Sequence, residues 1–300
     1  MYFNKISIIT LTYKNWRILS KAIKSVASQL IEDKYQVEYL VVDDGTDDFD
    51  VEWVTSLLDN SGVNYRLIIN ENNLGTVQSF NNAIDLSNGE IIIPLSADDE
   101  FYDEYVVGDI IKEFTKTGSY IISGLRVPVL NNKMLKPCPD NNKINLFYHP
   151  NKLLKYLLIN ENIISGASTY YHREVFNIVG PFDKSYRLLE DYPFYIKALS
   201  QGINISLYQR KVIKYGTLGI SAKGGGNSIL KQDFSKLYEK ILARPELTFL
   251  EKRRIVFFKV MSGREKWMNS WRYPEQFISL VYRNIFLTIS NCFSCYKRLN

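Results

Sequence analysis

Cysteine, histidine and long apolar runs are what this 300-residue chain has least of. Three cysteines, Cys138, Cys292 and Cys295, are too few to staple a fold of this size, which excludes a disulfide-framed secreted protein. The two histidines, His149 and His172, stand far apart, so a zinc site or a His-based nucleophilic triad has no support; Cys292 and Cys295 likewise lack a second ligand pair. The longest apolar runs, such as Ile91–Leu95, fall far short of the ~20 residues that span a bilayer. No charged, apolar, small-residue leader opens the chain, so the expected location is the cytoplasm, with peripheral attachment at the inner face of the membrane as a further expectation. No Gly-rich cradle of dinucleotide-binding or P-loop spacing stands at the first strand-to-helix turn, and those two nucleotide-binding classes are excluded with it.

What is present is a globular composition, 46% hydrophobic, 14% aromatic and 23% charged, which excludes disorder, collagen and coiled coil. The net charge of +5 is unevenly placed. From Glu251 onward ten Lys or Arg against three Glu give +7, so the first 250 residues carry −2 and the basic character belongs to the tail. A general nucleic-acid binder spreads its charge differently, and no nucleic-acid partner is expected.

Short apolar runs alternate with amphipathic segments through the first 120 residues, the pattern of parallel βαβ units with helices on both sheet faces. Strands are expected at Ile6–Thr12, Glu38–Asp43, Asn64–Ile69 and Glu90–Leu95, and helices at Trp16–Gln29, Val51–Asn60 and Thr76–Ser87. Further on, the pattern gives a strand over Ser119–Val129, a loop over Asn131–Asn145, a helix over Asn151–Ile159, a strand over Ile163–Tyr171, and helices over Arg173–Val179 and Asp191–Gln201. Gly224–Gly226 reads as a hinge, and from Ser228 onward only helices are expected.

Ligands of an open parallel sheet bind beyond the carboxyl ends of its strands. Those ends carry Thr10–Tyr13, Asp43-Asp44-Gly45, Asn70–Gly75 and Ser96-Ala97-Asp98-Asp99, so four carboxylates are expected to converge at one edge. Like charges packed together call for compensation, which points to a hard divalent cation shared between carboxylate oxygen and substrate phosphate. Each pair alone also reads as a tight turn or a helix cap; their joint occurrence is the signal.

At these residues the chain resembles the family 2 glycosyltransferases of the GT-A fold, over roughly Ile6 to Ser221. Ser7–Tyr13 is similar to the family's opening strand and Pro-Thr-Tyr turn, with Leu11 where proline is usual, and Val41–Thr46 to its Asp-Asp-Gly-Ser. Asn73-Leu74-Gly75 and Asn81 resemble the third unit, with Phe80 at the usual arginine and Ala83 at the usual glycine. Ser96-Ala97-Asp98 stands at the Asp-x-Asp motif with serine for its first acid. Gly166, Arg173–Phe176 and Gly180–Asp183 precede Glu190-Asp191, which resembles the family's acidic pair.

The resemblance implies an inverting enzyme that moves a sugar from a nucleoside diphosphate sugar, UDP-sugar favoured, to a hydroxyl of a saccharide or lipid-linked saccharide, in bacterial surface polysaccharide synthesis. It implies Asp191 as catalytic base; Thr12, Tyr13, Asp43, Asp44, Asn73, Gly75, Asn81, Ser96 and Ala97 on the nucleotide sugar; and Asp98 holding Mn²⁺ or Mg²⁺. Gly166, Glu190 and Asp99 would serve the acceptor or support the site. Near Gly219-Ile220-Ser221 the family often has a histidine, absent here, which leaves backbone donors or Lys223 for the diphosphate. The expected fold is α/β, a Rossmann-like and mostly parallel sheet with helices on both faces. A catalytic domain over 1–221, with donor half 1–118 and acceptor half 119–221, precedes a helical extension over 222–300.

In that extension, basic residues interleave with Phe257, Phe258, Trp267, Trp271, Phe277, Tyr282, Phe286 and Phe293. This suits an amphipathic surface on an anionic membrane, and equally helix packing or a homodimer. Two rival functions remain. One is a catalytically silent nucleotide- or saccharide-binding module on the same scaffold; the other, a phosphoacceptor receiver domain, leaves Glu190-Asp191 unexplained.

Overall fold

The computed structural model describes residues 3–131, 133–216 and 227–282. The chain forms two compact units, Met1–Phe234 and Ser235–Asn300. The expected domain boundary near residue 221, the Gly224–Gly226 hinge, Cys292 and Cys295 lie outside the described residues.

The first unit is built on a sheet whose first strands are β1 (Lys5–Thr12), β2 (Gln36–Asp43), β3 (Tyr65–Ile69) and β4 (Ile91–Pro94), joined in order by α1 (Leu19–Ala27), α2 (Val51–Asp59) and α3 (Thr76–Leu86). β1 lies parallel to both β2 and β4, and β2 to β3. Ile6, Ile8 and Ile9 of β1, Leu40–Val42 of β2 and Ile91–Ile93 of β4 are all buried, as strands covered on both faces require. α1 buries Leu19, Ala22, Ile23 and Val26, one face at helical spacing, after a single 3₁₀ turn at Trp16–Ile18. Asp50 caps α2 by accepting from Trp53 N–H.

The second half of the sheet is mixed. β5 (Glu100–Phe101) leads into α4 (Val106–Thr117), which ends at left-handed Gly118. β6 (Ile121–Leu130) and β7 (Lys133–Met134) form a hairpin; α5 (Asn141–Ile144), α6 (Pro150–Ile159), β8 (Thr169–His172), α7 (Glu174–Ile178), α8 (Asp191–Ser200) and β9 (Ile205–Tyr215) follow. The order is β3-β2-β1-β4-β8-β6-β9-β5, with β8 antiparallel to β4 and β6, and β9 parallel to β6.

Two sequence expectations change here. The strand expected over Ile163–Tyr171 is confined to Thr169–His172, because Gly166–Ser168 turn as a 3₁₀ helix. The Asn131–Asn145 loop folds back on β6, pinned by reciprocal backbone bonds between Arg126 and Cys138. β9, eleven residues long, was not indicated by sequence pattern at all.

α9 (Ser228–Leu242) crosses the division between the units. The described part of the second unit is helical, as expected. α10 (Phe249–Ile255) and α11 (Gly263–Met268) open on capping boxes, Thr248 with Glu251 and Ser262 with Glu265. Phe257 is buried, its ring against Phe258 and Tyr273, whereas Trp267 and Trp271 are 70% and 72% exposed. Phe286 and Phe293 lie outside the described residues. Among those described, no helix is long and apolar enough to cross a membrane.

Candidate active site

The strand order reverses between β1 and β4, the point at which an open α/β sheet leaves a crevice. A cleft of about 230 Å³ opens there. Leu11 and Asn15 line it after β1, Ser96, Ala97 and Asp98 after β4, Thr76 and Phe80 from α3, and Gly166, Leu188, Glu190 and Tyr215 from the second half of the chain.

At the end of β1, buried Thr12 donates its hydroxyl to Asn15 Oδ1 at 2.7 Å, and the same oxygen accepts Tyr13 N–H, leaving the Tyr13 ring exposed. β2 ends on Asp43, fully buried. One of its carboxylate oxygens accepts Thr46 N–H at 2.7 Å and the other has no hydrogen-bond partner. Burial raises its pKa, and the neighbouring Asp44 charge adds to that rise.

Asp44 is differently occupied. It accepts from Asn70 Nδ2, Leu74 N–H, Gly75 N–H and Ser79 Oγ, at 2.5 to 3.0 Å. Its carboxylate therefore organises the turn between β3 and α3. Two glycines make that turn possible. Gly45 (φ +72°) lies where a Cβ would come within 2.4 Å of the Asn72 backbone, and Gly75 (φ +86°) where one would meet Arg187 at 2.5 Å. Asn73 accepts from the Arg187 guanidinium through both its side-chain and backbone oxygens. Asn81 is buried and spends its amide on Phe182, giving to its carbonyl and accepting from its N–H. Phe80 stacks on Phe182 with ring centroids 5.3 Å apart.

The four carboxylates thus do not share one opening: of them Asp98 lines the cleft, while Asp43, Asp44 and Asp99 are buried. Asp99 accepts Gly216 N–H at 2.7 Å through one oxygen, and its other oxygen has no hydrogen-bond partner. Burial, reinforced by the Asp98 charge, pushes its pKa up to about 8. Gly216 sits so close that a Cβ there would come within 2.3 Å of the Asp98 carbonyl. Ser96 is exposed at the cleft edge.

Asp191 opens α8 opposite these groups in the sequence. Its carboxylate accepts Tyr192 N–H at 2.6 Å and Asn162 Nδ2 at 3.3 Å, and the Gly166 N–H also favours its ionised form. An added Cβ on Gly166 would lie 3.0 Å from Asp191 Oδ2, so the 3₁₀ turn brings backbone close against this carboxylate. Glu190 lines the cleft beside it. Burial first, then for Glu190 the Asp191 charge, raises both pKa values. Three donors on Asp191 favour its ionised form against that rise.

Several participants gave no sequence signal. Arg126, stacked over the Tyr215 ring at 4.4 Å, has a buried Nε with no hydrogen-bond partner, and its charge acts on both Asp99 and Asp191. Asn15 and Asn162 hold Thr12 and Asp191; a polar residue shortly after a strand was the available cue for Asn15. His149 and His172 do not line the cleft; His172 packs against Phe3 and Tyr120. Gly219-Ile220-Ser221 and Lys223 lie outside the described residues. Among the described residues no group of three or more His, Cys, Asp or Glu is placed to hold a metal ion.

Known proteins share this architecture. S. aureus TarS 1–349 in complex with UDP-GlcNAc aligns with TM-score 0.61 at 18% identity, over 85% of this chain and 73% of that one. Its complex with UDP gives 0.59 at 17%, over 86% and 74%. Among curated proteins, the "PGL/p-HBAD biosynthesis glycosyltransferase" of Mycobacterium bovis and that of Mycobacterium tuberculosis are each 27% identical over 232 residues, 77% of this chain and 82% of theirs. The structural likeness fixes the fold as GT-A, the expected α/β class. The model for "Glycosyl transferase family 2" matches residues 7–180, a stretch running from β1 through the Asp98 turn and Gly166 to the end of α7. The chain belongs to glycosyl transferase family 2.

Proposed function

We propose that this glycosyltransferase moves a hexosyl group from a UDP-sugar to a hydroxyl of a saccharide or lipid-linked saccharide, with inversion at the anomeric carbon. The observation that carries the reading is one cleft, at the sheet's reversal point, lined by Asp98 from the first half and Glu190 from the second, with Asp191 adjoining. The neighbours bound to UDP and UDP-GlcNAc support the donor class, and the names of the mycobacterial relatives support a cell-surface glycoconjugate as the setting.

In this reading Thr12, Tyr13 and Asp43 form the end of the site that receives the nucleotide base, and Ser96 and Ala97 the wall beneath the ribose. Asp44, Asn73, Gly75 and Asn81 shape that wall through their internal bonds. Asp191 removes the proton from the acceptor hydroxyl as it attacks, with Glu190 beside it at the cleft. A hard cation of the Mn²⁺ or Mg²⁺ kind is commonly held by one or two carboxylates plus substrate phosphates, and Asp98 fits that mode, with Asp99 behind it. Bound there, such a cation supplies positive charge for the departing diphosphate.

Calorimetric titration with UDP, dTDP, GDP and CDP tests the donor site. UDP is expected to bind, about tenfold or more tightly with Mn²⁺ than without, and Asp98→Ala to abolish the Mn²⁺ increment. An unchanged increment in the variant places the cation elsewhere; no nucleotide binding at all removes the donor reading. UDP binding with no turnover of any UDP-sugar favours the silent-module alternative.

The exposed Trp267 and Trp271, in the segment that carries the excess positive charge, suit attachment to an anionic membrane bearing a lipid-linked acceptor. Wild type is expected to co-sediment with phosphatidylserine-containing vesicles at low salt, and the Trp267→Ala/Trp271→Ala double variant to lose about fivefold or more of that binding. Equal sedimentation of the two, or none by wild type, counts against membrane attachment.

A further inference from the structure

Ten residues, 181–190, run up to the Glu190-Asp191 pair without forming a helix or strand. Backbone N–H groups in such a segment need partners from elsewhere, most of all where the residue is buried, as Leu189 is. One side chain supplies them for the last three residues before the pair. Asp233, 4% exposed on α9, accepts from three consecutive amides: Arg187 N–H at 3.0 and 3.2 Å on its two oxygens, Leu188 N–H at 2.7 Å and Leu189 N–H at 3.2 Å.

The same three residues are tied on their other side to the donor wall. Arg187 reaches Asn73 with its guanidinium, and its carbonyl accepts Val77 N–H at the start of α3. Leu188 lines the cleft, and Glu190 and Asp191 come next along the chain. We propose that Asp233 is a positioning residue: its carboxylate clasps the 187–189 backbone, and through that strap sets Glu190-Asp191 against the donor turn. This rests on the reading of Asp191 as the base. The three N–H groups converge on one oxygen, Asp233 Oδ2, so the clasp depends on an acceptor oxygen at that point and not on the bulk of the side chain. A strap released by even an ångström misplaces a base whose work depends on alignment.

The test compares wild type, Asp233→Ala and Asp233→Asn by amide hydrogen exchange over 186–190 and by UDP release from a panel of UDP-sugars. In Asp233→Ala the Leu188 and Leu189 amides are expected to exchange about 100-fold faster while β1 and β4 keep their protection, and UDP release to fall about 30-fold or more with UDP affinity within threefold. Asp233→Asn keeps one carbonyl oxygen; Leu188 is expected to stay protected, Arg187 to exchange faster, and turnover to remain within about fivefold of wild type. Unchanged protection of Leu188 and Leu189 in Asp233→Ala overturns the clasp, and so does UDP release within threefold of wild type. If Asp233→Ala does not fold, rapid exchange at Leu188 in Asp233→Asn overturns it instead. The exchange measurement needs neither donor nor acceptor, so it fails only with the clasp; loss of the base reading shows separately, as normal turnover in Asp191→Asn.

Discussion

Asp191→Asn is expected to lower turnover by about 10²- to 10⁴-fold while leaving the fold and UDP affinity within about twofold of wild type. The amide preserves shape and still accepts Tyr192 N–H, one of the bonds that orient the native carboxylate. What it cannot do is take a proton from an attacking hydroxyl. Steady-state kinetics beside nucleotide calorimetry make the check, and a variant with near-normal turnover removes Asp191 from the mechanism. The pH dependence carries the same signature. Burial raises the Asp191 pKa, so the acid limb of the wild-type profile is expected above the ordinary carboxylate range of about 4, and residual activity of the variant loses that limb.

The sign of the accompanying stability effect is fixed by the same shift. A carboxylate raised above its unfolded value contributes its stability below about pH 4, and loses it as pH rises through the raised value. Glu190→Gln is therefore expected to be more stable than wild type at pH 8 and not at pH 4.

Asp44→Ala has the largest expected effect on stability, about 4 kcal/mol, seen as a fall of about 10 °C in the unfolding midpoint. Four donors lose their acceptor at once, among them the Leu74 and Gly75 amides. The site is 4% exposed, so water does not readily replace the carboxylate. Asp44→Asn, which keeps one oxygen, is expected to lose about half as much. A midpoint within about 2 °C of wild type in the alanine variant, by calorimetric scan, contradicts the assignment of Asp44 to the architecture of the turn.

That division between Asp43 and Asp44 shows where sequence reading stops. The first four strands and three helices fall within about two residues of expectation at most ends, because buried runs, amphipathic spacing and Gly or Asp turns are local signals. The Asp-Asp-Gly pattern gives no sign of the division of labour between its two acids: one keeps a buried oxygen with no hydrogen-bond partner, the other is surrounded by donors from 26 to 35 residues away. β9 escaped notice because its residues alternate poorly between buried and exposed; it is held by pairing with β6 through a register shift at Gly124–Arg126. Phe80, a departure from the usual arginine, proved to be one half of a stack with Phe182, 102 positions away. Arg126 and Asp233 have no local motif either, since their meaning lies in partners that only the fold assembles.

The most direct measurement of the central claim is the stereochemistry of donor cleavage. Enzyme in excess over a UDP-sugar, followed by proton NMR before mutarotation sets in, is expected to release first the sugar anomer opposite to that of the donor, and Asp191→Asn to release it about 10²-fold more slowly. A first-formed sugar with the donor's own configuration, or wild-type rates in the variant, contradicts single displacement with Asp191 as base.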